Sequence, residues 1–195
     1  MKALRYVGVL LFISALSATA SAQTQDLGQG VFFNNEGAIV LAADASLAIS
    51  KMNSPYIMFM MYMGTNSNAQ ITVSRNDVVM VYKGQEYKMP SLKEFRKAYQ
   101  ETNKDMDLYS RLGKESLIGS QMRFLTFELS QGDFFPNTGM NPQTSTDQGQ
   151  FFGNMGFRTK FYFKNPGFQK GDEIILKVKD KKDPEFSGSV AVILK

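Results

Sequence analysis

The chain has 195 residues, of which 43% are apolar, 12% aromatic and 21% charged, and its formal net charge is +4 at pH 7. These values are typical of one or at most two globular domains and exclude disordered, collagen-like and disulfide-stapled chains. Because the sequence contains neither His nor Cys, a Ser-His-Asp triad, a cysteine nucleophile and a Cys/His zinc site are excluded as well.

The first 22 residues have the features of a secretory signal peptide. Lys2 and Arg5 precede an apolar run at residues 6–16, and the small residues at 20–22 form an A-x-A cleavage site. The apolar run is much shorter than the roughly 20 residues that span a bilayer as a helix. Cleavage leaves residues 23–195, with no later stretch that is long and apolar enough for a transmembrane helix. The sequence therefore predicts an exported protein, either periplasmic or extracellular.

The charge of the chain is close to balanced, with 22 basic and 18 acidic residues. Two of the basic residues belong to the predicted signal peptide, which brings the mature chain still nearer to neutrality. A balance of this kind does not indicate nucleic acid or an anionic membrane surface as the partner. Lys177 and Lys179, which alternate along a predicted strand, are interpreted as its solvated face.

Short strands are predicted over the first part of the mature chain, at residues 30–34, 37–50, 71–75, 78–83 and 85–89. The second of them is interrupted near Asp44. Residues 55–63 (PYIMFMMYM) are apolar on both faces, which predicts a strand in the middle of a sheet with both sides covered.

The hydrophobic period changes from that of a strand to that of a helix near residue 91. Ser91 and Glu94 have the spacing of a capping box, which predicts the start of a helix. A second helix is predicted at residues 105–112, ended by Gly113 in a left-handed conformation. The sequence thus predicts a helical insertion over residues 91–113.

Strand patterning resumes at residues 121–129 and, after an unpatterned loop at 131–156, continues at residues 157–164, 173–180 and 187–194. Many short strands without βαβ alternation predict a mainly β protein, and specifically an antiparallel β-sandwich. Apart from the signal peptide, the whole chain is expected to form one domain.

Four segments carry a resemblance to a known class of domain: YIMFMMYM, VVMVYKGQEYKMPS, FKNPGFQKGDEIILKVKD and SGSVAVILK. Residues 54–195 resemble the immunoglobulin-like β-sandwich domains of uncharacterised exported bacterial proteins. The resemblance lies in fold-level patterns, and the cysteine pair and core Trp of antibody domains are absent. It implies an immunoglobulin-like antiparallel β-sandwich with a short helical insertion, and it carries no functional residue with it.

The loop at residues 131–156 is the main candidate for a binding surface, because long unpatterned loops inside compact domains are often functional. Two aromatic pairs bracket it and three amides lie within it: Phe134, Phe135, Phe151, Phe152, Asn137, Asn141 and Gln150. The pairs are interpreted as an exposed apolar platform for a protein partner or a sugar face, with the amides as polar contacts. The alternative is that one Phe of each pair turns into the core and holds the loop ends.

Two metal sites are considered, and neither is favoured. Asp180, Asp183 and Glu185 lie in one turn and are candidates for calcium, which takes six to eight hard oxygen ligands, but two lysines in the same turn oppose a dication. Copper(I) on the methionines of residues 58–63 is disfavoured, because alternation along a strand splits them between two faces. The sequence therefore predicts no cofactor.

Catalysis would have to rely largely on carboxylates. Asp44, Glu128 and Asp133 are the candidates for a hydrolase with two carboxylates about 5 to 10 Å apart, but their spacing places no two of them across a cleft. The sequence therefore predicts a noncatalytic binding or structural protein of the cell envelope or extracellular space, whose partner is an envelope protein or a glycan. A carbohydrate-binding or carbohydrate-active protein is the alternative.

Overall fold

The computed structural model describes residues 23–137 and 145–195. Its residues are 42% strand and 21% helix, which makes the chain mainly β, as the sequence predicts. The predicted signal peptide, residues 1–22, lies outside the described residues.

Twelve strands are found in the described part of the chain: β1 (Gln25–Gly28), β2 (Val31–Asn34), β3 (Ile39–Asp44), β4 (Tyr56–Thr65), β5 (Ile71–Ser74), β6 (Val78–Tyr82), β7 (Gln85–Lys88), β8 (Thr126–Phe127), β9 (Gln148–Phe151), β10 (Met155–Lys164), β11 (Glu173–Lys179) and β12 (Ser187–Ile193). The helices are α1 (Ser46–Ser50), α2 (Leu92–Ala98), α3 (Thr102–Leu112) and α4 (Glu115–Gln121). Two 3₁₀ turns add Arg75–Asp77 and Leu129–Gln131.

The strands form three sheets. A six-stranded sheet has the order β1-β2-β3-β4-β10-β8, a four-stranded sheet has the order β12-β11-β6-β7, and β5 pairs with β9. Neighbouring strands are antiparallel except β8, whose two residues run parallel to β10. The predicted central strand is confirmed, because β4 lies between β3 and β10 and residues 57–65 are buried.

The two faces of the six-stranded sheet are covered by different layers. On one face, the ring of Tyr162 in β10 lies 4.5 Å from that of Phe95 in α2, so this is the helix-covered face. On the other face, Asn34 of β2 donates a hydrogen bond of 2.7 Å to the carbonyl of Ser189 in β12, so this is the sheet-covered face. Alternate residues of β10 therefore point toward helices and toward the second sheet.

The helical insertion begins where it is predicted to begin, and it extends further along the chain than predicted. Ser91 accepts a hydrogen bond from the Glu94 backbone, and the Glu94 carboxylate accepts one from the Ser91 backbone, which is the predicted capping box. The prediction that Gly113 adopts a left-handed conformation is wrong, because its φ is −58°. Glycine is required there for a different reason: a Cβ atom would lie 2.7 Å from the ring of Tyr109. The helix α4 is not predicted by the sequence.

Three strand predictions differ from the structure. The strand at 37–50 ends at Asp44, whose carboxylate accepts from the Ser46 backbone and starts α1. The strand at 121–129 is largely wrong, because Met122 and Leu125 are buried three residues apart in a turn that leads into the short β8. The strand at 71–75 ends at Ser74, since Arg75 begins the 3₁₀ turn Arg75–Asp77, which carries the chain into a different sheet.

Candidate functional site

Loop 131–156 is only partly irregular. Its first residue ends the 3₁₀ turn Leu129–Gln131, Asp133 forms an isolated bridge with Ser145, and its second half contains β9 (Gln148–Phe151) and the first residues of β10. Asn141, one of the predicted polar contacts, lies outside the described residues. The other predicted residues of the loop lie in its two described parts, residues 131–137 and 145–156.

Phe134 and Phe135 cross the free edge of β10 and point to opposite sides of it. The ring of Phe134 packs 5.4 Å from Phe157 on the sheet-covered face, whereas that of Phe135 lies 5.4 Å from Tyr162 on the helix-covered face. The Phe134 backbone donates to the Thr159 hydroxyl of β10 at 2.9 Å, which fixes the crossing. Both rings are fully buried, so the prediction that this pair forms an exposed platform is wrong.

The second aromatic pair is divided between core and surface. Phe151 pairs with Ile71 in the β5–β9 sheet and is fully buried, whereas Phe152 is 47% exposed. Here the alternative interpretation, one ring in the core and one outside, describes the pair correctly. The predicted contact Gln150 is exposed and accepts a hydrogen bond of 3.1 Å from the Gln70 amide. Within the described ranges, Phe124 is the other large apolar side chain that is mainly exposed.

A buried ion pair lies beneath the start of the loop. The ammonium of Lys160 is 2.5 Å from Asp133 Oδ2 and 3.1 Å from Asn137 Oδ1, and the Lys160 side chain is only 1% exposed. The other oxygen of Asp133 accepts from the Thr159 hydroxyl at 2.9 Å and from the Phe135 backbone at 3.0 Å. Asp133 is thus held on several sides, and it fixes the position of the ammonium.

A cavity of about 150 Å³ opens beside this ion pair, and we call it the Lys160 cavity. Its lining residues are Met60, Met106, Gly132, Asp133, Asn137, Arg158, Thr159 and Lys160. The guanidinium of Arg158 pairs with Glu115 of α4 and lies over the ring of Tyr62. Its Nε is buried and has no hydrogen-bond partner.

Hydrogen-bond donors outnumber free acceptors in the Lys160 cavity. The ammonium has three N–H groups, of which the contacts to Asp133 and Asn137 use two. Both oxygens of Asp133 are already engaged, and the Arg158 guanidinium adds positive charge to the lining. The cavity therefore suits a group that brings oxygen acceptors, and its volume is that of about five water molecules.

Asn137 and Asp133 are candidate site residues on the sequence alone, whereas Lys160 and Arg158 are not. In the letters FRTKFYFK, Arg158 and Lys160 alternate with apolar residues and look like the solvated side of a strand. The usable signal lies in the neighbouring strand, since β4 is apolar on both faces and pairs Met60 with Lys160. A strand covered on both faces implies that its neighbour's charged face is covered too.

A second ion pair, between a partly exposed lysine and a buried aspartate, holds the helices to the sheet. Lys51 lies 2.6 Å from Asp105 Oδ1, and Asp105 Oδ2 accepts from the hydroxyls of Tyr99 at 2.8 Å and Tyr162 at 3.0 Å. Burial and the neighbouring Asp105 carboxylate raise the pKa of Tyr162 well above its usual value. This cluster is closed by its own partners, and we assign it a structural role.

The three carboxylates considered for catalysis lie in separate places. Asp44 is fully buried and accepts from the backbones of Ser46 and Lys114, at 2.9 and 2.8 Å. Asp133 belongs to the Lys160 cavity, and Glu128 is exposed beside Ser130. Asp44 and Asp133 are both used to hold backbone groups in place.

The turn considered for calcium uses its carboxylates as caps. Asp180 accepts from the backbones of Thr72 at 2.6 Å, Asp183 at 2.8 Å and Lys182 at 3.0 Å. Burial opposes ionisation of Asp180, but these N–H groups outweigh it and lower its pKa. Asp183 accepts from the backbone of Glu185 at 3.1 Å. No group of three or more metal-binding side chains occurs within residues 23–137 and 145–195, so the candidate site at Asp180 is corrected to a structural cap.

Comparisons with known proteins add no functional assignment. No family model, curated protein or solved structure matches this chain. Among the helices of the described residues, none has the length and apolar character needed to cross a membrane. The function must therefore be argued from the chemistry of the sites themselves.

Proposed function

We propose that this chain is an exported, noncatalytic binding protein with one immunoglobulin-like antiparallel β-sandwich domain, and that its ligand site is the Lys160 cavity. The observation that carries the proposal is a buried ammonium, held by Asp133 and Asn137, at the wall of an open cavity. The signal-like residues 1–22 support export, and loop 131–156 supplies Asn137 to the cavity.

Energetics support a role for these charges beyond stability. Replacing a buried ion pair by apolar residues of similar volume is often neutral or stabilising. A buried donor without a partner costs about 1–3 kcal/mol, and the contacts to Asp133 and Asn137 leave the third N–H group of Lys160 without one. A ligand that supplies an oxygen acceptor satisfies this N–H group, so binding recovers a cost that the free protein bears.

The test compares two lysines that each pair with a buried aspartate. In Lys160→Met the cavity loses its ammonium, whereas in Lys51→Met the protein loses the partly exposed ammonium that pairs with Asp105, and Lys51 does not line the cavity. We expect Lys160→Met to weaken binding of the native ligand about tenfold or more, since charge-assisted hydrogen bonds contribute roughly twice as much as neutral ones. Lys51→Met is the matched control for lost stability.

The ligand is sought with crosslinked pull-downs from the envelope fraction and with a glycan array, using the native protein and both variants. A partner that is captured by the native protein and by Lys51→Met but not by Lys160→Met supports the proposal. Equal capture by Lys160→Met, with folding verified by circular dichroism, contradicts it.

A glycan is the second candidate ligand, and the exposed ring of Phe152 favours it. At the same end of the β5–β9 sheet the amides of Gln150 and Gln70 are joined at 3.1 Å, so an aromatic face and polar groups occur together at the surface. Aromatic rings with adjacent polar groups suit the apolar face and hydroxyls of a sugar. Loss of a glycan-array signal in Phe152→Ala but not in Phe124→Ala supports this candidate, and equal signals contradict it.

A further inference from the structure

A larger cleft of about 450 Å³, which we call the corner cleft, lies where the β1–β2 turn meets α1, the end of α3 and the end of β12. Its apolar lining is Phe32, Ile49, Leu112 and Ile193, and its other lining residues are Asp26, Gly28, Gln29, Gly30, Ser46, Lys114 and Lys195. An apolar lining with a few polar groups, in a volume of several hundred Å³, is typical of small-molecule sites.

The rim of the corner cleft is the tight turn between β1 and β2. Gly28 pairs with Val31, which leaves Gln29 and Gly30 as a two-residue loop, and their φ values are 55° and 84°. Positive φ at both central residues is what a two-residue hairpin turn favours. The Gly30 carbonyl accepts a hydrogen bond of 2.8 Å from the Ala45 backbone, just before α1, so the turn is fixed against the rest of the cleft.

The polar groups of the corner cleft are positioned by Asp44. This fully buried carboxylate accepts from the backbones of both Ser46 and Lys114, which fixes the two residues relative to each other. The Ser46 hydroxyl oxygen is buried and has no hydrogen-bond partner. Lys114 takes part in none of the ion pairs found among residues 23–137 and 145–195.

The other charged side chains of the cleft neutralise each other. Lys195 lies 2.8 Å from Asp26, and this contact lowers the pKa of the Asp26 carboxyl. The uncompensated side-chain charge of the lining is therefore the Lys114 ammonium, beside an apolar wall. An ammonium next to an apolar wall suits a carboxylate with an apolar body, because the charge-assisted hydrogen bond satisfies the ammonium while the body covers the wall.

We propose that the corner cleft binds a small amphipathic carboxylate. The apolar body of this ligand packs on Phe32, Ile49 and Leu112, and its carboxylate receives a charge-assisted hydrogen bond from the Lys114 ammonium. The site is separate from the Lys160 cavity, with which it shares no lining residue, and the proposal is independent of the function given above.

The test is a calorimetric titration of the purified protein with three ligands of the same chain length. Decanoate, decan-1-ol and decyltrimethylammonium share an apolar body and differ in the charge of the head group. We expect decanoate to bind about tenfold more tightly than decan-1-ol, which is about 1.4 kcal/mol, and decyltrimethylammonium to bind most weakly. Equal binding of decanoate and decan-1-ol overturns the proposal.

Variants locate the binding to this cleft. Lys114→Gln is expected to remove the preference for decanoate over decan-1-ol, whereas Lys114→Arg keeps the charge and is expected to retain it. Lys177→Gln is the matched control, because Lys177 lines a different cleft of about 400 Å³. An unchanged preference in Lys114→Gln, or an equal loss in Lys177→Gln, shows that decanoate adsorbs elsewhere and overturns the proposal.

Discussion

The two faces of strand β10 are built from different chemistry. Toward the second sheet, this strand contributes three fully buried rings, those of Phe157, Phe161 and Phe163. Toward the helices it contributes three polar side chains, those of Arg158, Lys160 and Tyr162. Each of these three meets a carboxylate supplied by the helical insertion or by loop 131–156: Glu115, Asp133 and Asp105 respectively.

The contrast separates stability from recognition. An aromatic layer stabilises the fold through apolar burial and needs no particular partner for each ring. Buried charges are stable only where every group is paired, so their positions are specified closely. We therefore locate the candidate binding site on the helix-covered face. We expect the two faces to respond differently to substitution.

The largest loss of stability is expected for substitutions on the sheet-covered face. Phe161→Ala removes a fully buried ring and is expected to lower the free energy of unfolding by about 3–5 kcal/mol. Phe152→Ala, at a ring that is 47% exposed, is expected to cost less than about 1 kcal/mol. Urea unfolding of both variants measures the difference, and equal losses would show that the rings are not divided between core and surface.

The second-largest loss of stability is expected on the helix-covered face. Asp133→Asn leaves the Lys160 ammonium buried without its anion and is expected to destabilise the protein by about 3 kcal/mol. Glu128→Gln changes an exposed carboxylate nearby and serves as the control, with an expected change within about 0.5 kcal/mol. A loss below about 1 kcal/mol in Asp133→Asn would mean that the ion pair is hydrated in solution, and the contrast between the faces would then be lost.

Alkaline pH is expected to act through the tyrosines of the helix-covered face. Burial raises the pKa of Tyr62 to about 12. Because the folded state holds this proton more tightly than the unfolded chain, the stability that it contributes is complete below pH 10 and is lost as the pH rises to 12. The expected loss from this group is about 2 kcal/mol at pH 12.

Chemical unfolding measured between pH 9 and 12 checks the tyrosine prediction. Tyr62→Phe removes the ionisable hydroxyl and keeps the ring, so its stability is expected to fall less steeply over this range than that of the native protein. Identical slopes for the two proteins would assign the alkaline loss to other groups.

The smallest change in stability is expected for the Arg158–Glu115 ion pair, at the outer end of the helix-covered face. Arg158 pairs with Glu115, whose side chain is largely exposed, and exposed ion pairs contribute about 0–1 kcal/mol. Glu115→Gln is therefore expected to change the unfolding free energy by less than about 1 kcal/mol, and the change should shrink further in high salt. A larger loss that salt does not reduce would extend the buried network to α4.

The parts of the fold that the sequence predicts are those with local causes. The capping box of α2 depends on Ser91 and Glu94 alone, and the central position of β4 follows from a run without a polar face. The strand expected at 121–129 fails because alternation over a few residues also fits a turn whose buried residues, Met122 and Leu125, are three apart. Short patterns of this kind are ambiguous until the packing partners are known.

The candidate site could be predicted only in part for the same reason. Loop 131–156 and Asn137 were identified from the sequence, but the directions of Phe134 and Phe135 depend on the edge of β10 between them. Lys160 and Arg158 look solvent-exposed in the sequence, but Lys160 is buried and Arg158 is half-buried, because the start of loop 131–156, α3 and α4 cover their face of the sheet. No local pattern specifies that cover.

Taken by itself, the sequence determined the mainly β composition, the helical insertion and the exclusion of His- and Cys-based chemistry, because these depend on residue types and on contacts between near neighbours. Tertiary structure alone decided that Asp133 meets Lys160 across 27 residues, that Asp44 positions Ser46 and Lys114, and that Asp180 caps the backbone of Thr72. Those contacts join residues that are distant in the chain, so they exist only once the sheets and helices have packed.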